Sequence, residues 1–441
     1  MLDSSWEYAS AHERSLMTAR LRGAEVVTCL YDLVPLLSPA FCDPGMPRIF
    51  AHWFKAALGR STAFVCISKA VADDLLRTLA AIDFPRPMKV GYWRLGADFS
   101  SMQPLQTKQS VNRTAGGDFL MVGTLEPRKG HRIALSAMEA LWAEGIDARL
   151  VIAGRVGWGV ESLTDKLRAH PEFGKRLIWK DGVGDIELQG LYDSCDALIA
   201  ASFAEGFGLP IVEAGRFGKP VIASDIAVFR EVSTGAISAT FFEVGSAMSL
   251  AQQLREFIAT HRTREISKEA SGSEAPRWPS WRESSEELER ILDHQEWYQT
   301  YQPSSQCLFA DGSDIGSFEL EELLPRASQA YEIEMIGEPE RLRNGDSGFL
   351  VVVRNNSDTT WSSDGPSGLH FAALVRDACG TLLNPNPARV SLPFVLGPQS
   401  ACFMKMVVPR ELMRRPGQSV EFVPGQGDEW WTHGHPHFYT P

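Results

Sequence analysis

Residues 197–217, ALIAASFAEGFGLPIVEAGRF, decide the fold class of this chain. The short apolar run Ala197–Ala200 predicts a buried strand, and residues 210–217 predict a helix with Pro210 at its first position. Glycines in the loop between them let the backbone approach a ligand closely, and the unpaired amides at the helix start suit a phosphate or diphosphate. The stretch therefore indicates a strand, a ligand-binding loop and a helix.

The same alternation of strand and helix runs through residues 113–300. Further strands are predicted at 119–122, 149–153, 177–179 and 220–223, and further helices at 131–144 and 284–295. Near-continuous apolar strands that alternate with helices predict a parallel sheet covered on both faces. In such sheets ligands bind outside the carboxyl ends of the strands.

The regions on either side have different patterns. Residues 1–112 predict strands at 26–30 and 63–67, a helix at 48–58 and, after Ser68, a helix at 69–80. Residues 103–117 are polar and predict an interdomain linker, and residues 301–330 predict a second linker. Residues 331–441 predict a small antiparallel β-sandwich, with strands at 349–353, 368–375, 401–408 and 419–423.

Aromatic and histidine residues of the last region have alternative interpretations. A tight turn at residues 355–360 leads to Trp361, which we expect to be buried. Residues 430–431 are two tryptophans that form either a sugar-stacking platform or, as we favour, part of the core. His433, His435 and His437 alternate and would share one face of a strand as metal ligands, but an exposed tail is the favoured interpretation.

The composition excludes several classes of protein. The chain of 441 residues has 43 Lys and Arg against 55 Asp and Glu, a net charge of -12, and this argues against a nucleic-acid binder. Its longest apolar stretches, such as residues 196–203, are far shorter than a membrane span. The N-terminus lacks both parts of a signal peptide, and seven Cys without a CxxC pair form no disulfide framework. We therefore expect a cytoplasmic protein.

Acidic and basic side chains cluster in two loops of the 113–300 region. Glu205 lies in the glycine-rich loop and Glu213 about one turn into the next helix, so both carboxylates can border one cleft. A carboxylate is the usual partner of a ribose diol in dinucleotide-binding folds. Arg128 and Lys129 follow the first strand, where two cations can neutralise a leaving diphosphate. Either feature alone also fits solvated charges, whereas both together favour a nucleotide site.

These motifs resemble those of the retaining glycosyltransferases of family 4, which have the GT-B architecture of two facing Rossmann-like domains. Glu205 and Glu213 match the E-x7-E motif of the family, and residues 127–130 match its PRKG loop. Residues 65–72, 95–98 and 221–225 followed by Glu231 extend the likeness, which covers about residues 1–300. The resemblance implies an α/β fold with two Rossmann-like domains, at 1–112 and 113–300. The all-β sandwich resembles the immunoglobulin-like modules of some bacterial polysaccharide glycosyltransferases.

The resemblance also implies a role for each matching residue. Arg128 and Lys129 would hold the diphosphate of the donor, Glu213 the ribose of the nucleotide, and Glu205 the donor sugar. Five further residues would line the donor site: Phe207, Gly208, Leu209, Gly123 and Thr124. Members of the family need no metal ion, so neither a metal nor another cofactor is expected.

The chain departs from the family pattern at two positions. Many members carry Arg soon after the glycine that ends the first strand, whereas Gly123 is followed here by Thr124. This leaves the phosphate charge to the two cations of the PRKG loop. Many members also present His near the reacting sugar, whereas the comparable loop here offers Tyr31 and Asp32. Either of these faces the cleft, or both have a plain loop role.

The first region is short for a Rossmann-like domain. Such a domain has five or six strands, whereas residues 1–112 supply about three. In the family, the opening strand and its Gly-rich loop precede the region that residues 2–6 match. We therefore expect a truncated or reduced N-terminal domain, which a partner chain or a second copy would complete.

One activity and two alternatives follow. The chain would transfer a hexose, with mannose from GDP-mannose as the first choice, to a glycan or lipid-linked glycan acceptor in bacterial surface polysaccharide synthesis. It would retain the anomeric configuration and work at the inner face of the membrane. The first alternative is a non-catalytic nucleotide-sugar-binding or partner subunit. The second is a carbohydrate-binding module, residues 331–441, attached to a relic enzyme.

Overall fold

Two units make up the fold in the computed structural model, and neither coincides with one region of the sequence. Unit 1 combines Met1–Cys66, Val71–Tyr92 and Trp297–Pro441, and unit 2 combines Ile67–Ala70 with Trp93–Glu296. The described residues are 9–98, 114–234, 237–266, 278–304, 330–342, 344–363, 368–413, 417–426, 429–431 and 438–439. Most of both predicted linkers and His433, His435 and His437 lie outside the described residues.

The first part of the chain folds into a small parallel sheet with helices. Its elements are α1 (Ala9–Leu21), β1 (Val27–Leu30), α2 (Val34–Leu37), α3 (Met46–Arg60), β2 (Ala63–Cys66), α4 (Lys69–Ala81) and β3 (Met88–Tyr92). The three strands are parallel neighbours in the order β1-β2-β3, and a later strand, Gln299–Tyr301, pairs antiparallel with β3. The strands and helices predicted for this part are confirmed within two residues at each end.

The apolar face of α3 builds the core of this sheet. Phe50, Trp53, Phe54 and Leu58 recur at the spacing of one helix face, and all four are buried. The ring of Phe54 lies 6.4 Å from that of Phe64 in β2, centroid to centroid. The helix therefore covers the sheet with aromatic side chains.

Unit 2 contains a six-stranded parallel sheet. Its strands are β4 (Asp118–Val122), β5 (Arg149–Ala153), β6 (Leu177–Lys180), β7 (Ala197–Ala200), β8 (Val221–Ser224) and β9 (Ala239–Phe242). Its helices are α5 (His131–Ala143), α6 (Glu161–Ala169), α7 (Asp185–Ser194), α8 (Leu209–Arg216), α9 (Ala227–Val232), α10 (Ala247–Ile266) and α11 (Trp281–His294). The predicted parallel sheet is confirmed, and β9 has no predicted counterpart.

The order of the strands, β6-β5-β4-β7-β8-β9, reverses between β4 and β7. The chain adds β5 and β6 on one side of β4 and then returns to place β7 on its other side. Ligands of open α/β sheets bind at such a switch point, beyond the carboxyl ends of the strands. Two loops begin there, residues 123–130 after β4 and residues 201–208 after β7.

The start of α11 is fastened to an earlier stretch of unit 2. Ser280 caps the helix by accepting a hydrogen bond from the amide of Glu283, whose carboxylate accepts in return from the Ser280 amide. The amide of Trp281 donates to Asp98, and the Ser284 hydroxyl donates to the Arg94 carbonyl at 2.6 Å. The predicted helix is thus confirmed, and it begins three residues earlier than predicted.

The C-terminal region consists of antiparallel sheets. The strand paired with β3 is β10 (Gln299–Tyr301). The strands of the antiparallel sheets are β11 (Tyr331–Met335), β12 (Glu340–Arg341), β13 (Ser347–Asn355), β14 (Trp361–Ser362), β15 (Leu369–Arg376), β16 (Val390–Ser391), β17 (Val395–Leu396), β18 (Ala401–Val408), β19 (Ser419–Gln426), β20 (Glu429–Trp430) and β21 (Phe438–Tyr439). Long pairs join β13 to β18 and β15 to β19, and all the pairs described from β11 onward are antiparallel. The four predicted strands are confirmed as β13, β15, β18 and β19, whereas an immunoglobulin-like fold stays a prediction.

The aromatic core of these sheets bears on the predictions for Trp361 and for residues 430–431. Trp361 is fully buried, as predicted, and its ring lies 5.9 Å from that of Trp431. Trp431 is also buried, which confirms core packing for this residue. Trp430 is half-buried, with the Arg389 guanidinium 5.6 Å above its ring.

Within unit 1 the antiparallel region packs directly on the first part of the chain. Phe394 and Val395 belong to the same buried cluster as the α3 side chains, and the Phe394 ring meets the Phe54 ring edge-on at 5.7 Å. The Thr360 hydroxyl donates to the Ala81 carbonyl at 2.6 Å. The two stretches of unit 1 therefore share one hydrophobic core.

Candidate active site

The two loops at the switch point contact each other through their backbones. The amide of Phe203 donates to the carbonyl of Arg128 at 2.9 Å. Gly130 has a φ of +69°, and a Cβ atom at this position would lie 2.0 Å from the carbonyl oxygen of Ala201. Glycine is needed here, since another residue would have both a left-handed backbone and a steric clash. The PRKG loop thus ends at the point where the other loop begins.

Glu205 is the centre of a charged cluster formed by both loops. Its Oε1 accepts hydrogen bonds from Lys129 Nζ at 2.6 Å and from Ser202 Oγ at 2.8 Å, and its Oε2 accepts from Arg128 Nη1 at 2.5 Å. Burial raises the pKa of this carboxyl, but the charges and hydrogen bonds of its cationic partners outweigh burial and hold the pKa below its ordinary value. Glu205 is therefore a carboxylate at neutral pH.

Arg128 is fastened to both loops. Its guanidinium donates to the Ala204 carbonyl at 2.9 Å and to Glu126 Oε1 at 2.7 Å, in addition to its bond with Glu205. An arginine presents five N–H donors in a planar fork, and this one directs at least three of them to neighbouring loop atoms. The side chain connects the two loops and forms ion pairs with two carboxylates.

Lys129 makes fewer described hydrogen bonds than Arg128 does. The one hydrogen bond described for its ammonium group is that to Glu205, which leaves further donors among its three protons. Its side chain passes over Gly123 at the end of β4, with Cε 3.6 Å from the position a Cβ atom would take there. The adjoining His131 is buried at the start of α5, and burial together with the charge of Lys129 lowers its pKa to about 3. His131 is therefore neutral and adds no positive charge.

Glu213 lies on α8 and bonds to a tyrosine of α7. The Tyr192 hydroxyl donates to Glu213 Oε2 at 2.7 Å. Burial raises the pKa of Glu213, the hydrogen bond from Tyr192 opposes this rise, and the charge of Asp185 adds to it. The second carboxylate of the E-x7-E pair is therefore held mainly by a neutral donor, whereas Glu205 is held by two cations.

The loop before α8 has the close packing that its glycines allow. Gly208 precedes the helix with a φ of 111°, and a Cβ atom there would lie 3.0 Å from the Phe229 ring. Phe207 is buried and its ring lies 6.0 Å from that of Trp278, whereas Leu209, the first residue of α8, is half-buried. Pro210 is thus at the second helical position rather than the predicted first.

The other three residues considered from the sequence, Thr124, Tyr31 and Asp32, lie in loops. Thr124 is exposed in the loop after β4. Tyr31 and Asp32 lie in unit 1, where Tyr31 is exposed and Asp32 accepts a hydrogen bond from the Val34 amide at 2.9 Å. Asp32 thus lies in the loop just before α2, and whether either residue faces the cleft stays a prediction.

The sequence predictions missed three residues that form hydrogen bonds with the predicted site residues. Glu126 pairs with Arg128, Ser202 donates to Glu205, and Tyr192 donates to Glu213. Glu126 and Ser202 lie within three residues of the predicted site, and this proximity was an available signal. Tyr192 lies 21 residues before Glu213 in the sequence, and no spacing pattern connects them.

In the described ranges, no three His, Cys, Asp or Glu side chains are grouped so that they could hold a metal ion. None of the helices described above has both the length and the apolar character that crossing a bilayer requires.

Comparisons with known proteins point to one family. Residues 103–272 match the family model of group 1 glycosyl transferases. Over 284 residues the chain is 36% identical to the serotype-specific mannosyltransferase WbdA of Escherichia coli, covering 62% of this chain and 34% of WbdA. Over 209 residues it is 31% identical to the O-antigen chain mannosyltransferase RfbU of Salmonella typhimurium strain LT2, covering 46% of this chain and 53% of RfbU.

Among solved structures, that of Anabaena HepE in complex with UDP and glucose is similar with a TM-score of 0.45 and 18% identity, covering 65% of this chain and 75% of HepE. The chain spans about a third of the length of WbdA. Both loops of the charged cluster and the E-x7-E pair lie inside the matched residues. The stretch that resembles group 1 glycosyl transferases, residues 103–272, therefore contains the whole charged cluster.

Proposed function

We propose that this chain is a retaining glycosyltransferase of family 4 with GT-B architecture, which transfers a hexose from a nucleoside-diphosphate sugar to a glycan acceptor. The observation that carries the proposal is the position of Glu205, between Lys129 and Arg128 at the switch point of a parallel sheet. The mannosyltransferases that the chain is similar to support mannose as the sugar. With mannose as the sugar, GDP-mannose is the donor that we propose. One of these relatives is an O-antigen chain mannosyltransferase, which supports a setting in surface polysaccharide synthesis.

Lys129 supplies the charge that the leaving diphosphate needs. When the bond between the sugar and the diphosphate breaks, negative charge builds up on the phosphate oxygens. A preorganised ammonium group in a half-buried site stabilises that charge more than water does. Because the PRKG loop ends next to the start of the other loop, the ammonium group is held in place before the donor binds. No metal ion is needed in this proposal, and EDTA would leave turnover unchanged.

Glu205 contributes as an acceptor of hydrogen bonds. Its pKa lies below the ordinary value, so it does not serve as a general acid at neutral pH. Its Oε1 already accepts two hydrogen bonds, whereas its Oε2 accepts one, from Arg128, and still has a lone pair that can accept from a sugar hydroxyl group. It therefore orients the donor sugar and keeps the cations of the PRKG loop in position.

Glu213 binds the ribose of the nucleotide. Its Oε2 accepts from Tyr192, and its Oε1 is available to accept from a ribose hydroxyl. The acceptor is a glycan or a lipid-linked glycan at the inner face of the membrane, positioned so that it attacks the face the diphosphate leaves. Proximity of the two substrates then supplies part of the rate enhancement.

Transfer of mannose from GDP-mannose to an oligomannose acceptor tests the proposal. Glu205→Gln retains the size of the side chain and removes its charge, so we expect turnover to fall by about 100-fold or more. Glu289→Gln on the exposed face of α11 is the matched control and should leave turnover unchanged. Wild-type turnover in Glu205→Gln would contradict the role of this residue. A wild-type chain that binds the nucleotide but transfers no sugar would instead favour a non-catalytic subunit.

A further inference from the structure

The carboxylate of Glu213 is held from one side by a single buried phenol. Tyr192 is fully buried on α7, and its hydroxyl donates to Glu213 Oε2 at 2.7 Å. The carbonyl oxygen of Pro210 lies farther from the Tyr192 hydroxyl oxygen, at 3.5 Å. The single proton of the phenol is therefore donated to the Glu213 carboxylate. The bond is therefore short, buried and directed to one oxygen.

Tyr192 contacts α8 and the residue that follows it, through its hydroxyl group and through its ring. It stacks on the ring of Phe217 just after the helix, with centroids 5.5 Å apart and an interplanar angle of 14°. Its hydroxyl reaches Glu213 in the middle of the same helix. A buried aromatic ring with two rotatable bonds loses little freedom when it makes such a bond, so it fixes its partner well.

The hydrogen bond from Tyr192 uses one oxygen of the Glu213 carboxylate and leaves the other oxygen able to accept from a ligand. The described contacts give Oε2 to the phenol and give no hydrogen bond to Oε1. A carboxylate whose rotamer is fixed this way presents Oε1 in one direction before any ligand arrives. Such preorganisation increases affinity because less conformational freedom is lost on binding.

We propose that Tyr192 is a positioning residue for nucleotide binding, which orients Glu213 so that its Oε1 accepts from the ribose. This inference rests on the proposed function, since it assumes that Glu213 binds the ribose of a nucleoside diphosphate. Tyr192 itself is buried and acts only through the carboxylate. Burial and Asp185 favour the protonated form of Glu213, and the phenol opposes them by stabilising the anion.

Removal of the hydroxyl alone tests the inference. Tyr192→Phe retains the ring that stacks on Phe217, and we expect it to weaken binding of the nucleoside diphosphate by about tenfold, the usual effect of losing a hydrogen bond to a charged group. The probe is whichever of GDP, UDP, ADP and dTDP binds the wild-type chain most tightly. Tyr298→Phe is the matched control, because Tyr298 also donates to a carboxylate, that of Asp73 at 3.0 Å, but on the surface of unit 1.

Two further readouts separate positioning from a general structural effect. In Tyr192→Phe the loss of affinity at low pH should begin at a higher pH, because Glu213 then protonates more easily. In a Glu213→Gln background, Tyr192→Phe should cause no further loss of affinity. Wild-type affinity in Tyr192→Phe, or an equal loss in both backgrounds, would overturn the inference while leaving the proposed function intact. Failure of the wild-type chain to bind any of the four nucleotides would overturn both.

Discussion

At the scale of single residues, the charges around Glu205 balance. Glu126 and Glu205 contribute two carboxylates, and Arg128 and Lys129 contribute two cations. Arg128 is bonded to both carboxylates, whereas Lys129 is bonded to one. Adjacent cations of the same loop thus differ in how much of their hydrogen-bonding capacity is available to a ligand.

This difference predicts different effects for the two cations. Lys129→Ala should weaken binding of the nucleoside diphosphate by about 10- to 100-fold, because it removes the charge-assisted bond to a phosphate. Arg128→Ala should lower turnover and thermal stability, because it releases Glu205 and Glu126, with a smaller effect on nucleotide affinity. Isothermal titration measures the affinities, and Lys175→Ala on the exposed surface of unit 2 is the control. Equal losses of affinity in both variants would contradict this division.

The two carboxyls of the E-x7-E pair predict opposite dependences of stability on pH. Folding lowers the pKa of Glu205, so its ionised form stabilises the fold above its ordinary pKa of 4.5, and this contribution is lost as the pH falls further. Folding raises the pKa of Glu213, so its ionised form costs stability above that raised pKa, and the cost disappears as the pH falls toward 4.5.

Melting temperatures of two variants measure these contributions. At pH 7.5 Glu205→Gln should be less stable than the wild-type chain, by about 2 kcal/mol, and Glu213→Gln should be slightly more stable. The gain in Glu213→Gln should disappear as the pH falls from 7.5 toward 4.5, whereas the loss in Glu205→Gln should shrink only when the pH falls below 4.5. A stabilised Glu205→Gln or a destabilised Glu213→Gln at pH 7.5 would be the wrong sign for this electrostatic arrangement.

At the scale of elements, the site depends on the contact between the loops after β4 and β7. Gly130 and Gly145 both have left-handed backbones, but a Cβ atom on Gly145 would meet nothing within 4 Å, whereas on Gly130 it would meet the Ala201 carbonyl. Gly145→Ala should cost only the backbone strain, about 1–2 kcal/mol, and leave turnover unchanged. Gly130→Ala should destabilise more and reduce turnover, because it pushes the loops apart. Full turnover in Gly130→Ala would show that the contact is dispensable.

Features that depend on neighbouring residues could be predicted from the sequence, whereas contacts between distant elements could not. The four inner strands of unit 2 are short and mostly buried runs of largely apolar residues, and such runs are visible without knowledge of any partner. The charged loops were predicted because their residues are adjacent in the chain. Tyr192 was not predicted, because its partner Glu213 is brought to it by the packing of α7 and α8. Long-range packing of this kind leaves no periodic signal in one sequence.

At the scale of the whole molecule, the composition of unit 1 could not be predicted from the sequence. Phe394 lies more than 300 residues from Phe54, and both belong to one buried cluster. Four strands of the last region were predicted correctly from apolar runs between clusters of turn-forming residues, but that pattern does not identify the surface they pack on. The antiparallel region thus contributes to the core of the small parallel sheet in unit 1.

This shared core predicts that the antiparallel region stabilises the first part of the chain. Phe394→Ala should destabilise unit 1 by about 3–5 kcal/mol, because it leaves a cavity against Phe54. Val407→Ala, at a side chain that is 40% exposed, is the control and should have little effect. Calorimetry and limited proteolysis of the full chain measure both. An unchanged melting profile in Phe394→Ala would mean that the shared core adds little stability.

The most direct test of the nucleotide-sugar site is thermal stabilisation of the full chain by GDP, UDP, ADP and dTDP, each measured separately. A ligand that binds only the folded state at 100 times its Kd should add about 2.7 kcal/mol to stability. We predict that one nucleotide, GDP as the first choice, stabilises the wild-type chain and Glu289→Gln but not Glu213→Ala. Absence of stabilisation by all four nucleotides, or equal stabilisation of Glu213→Ala, would contradict a nucleotide site at the switch point between β4 and β7.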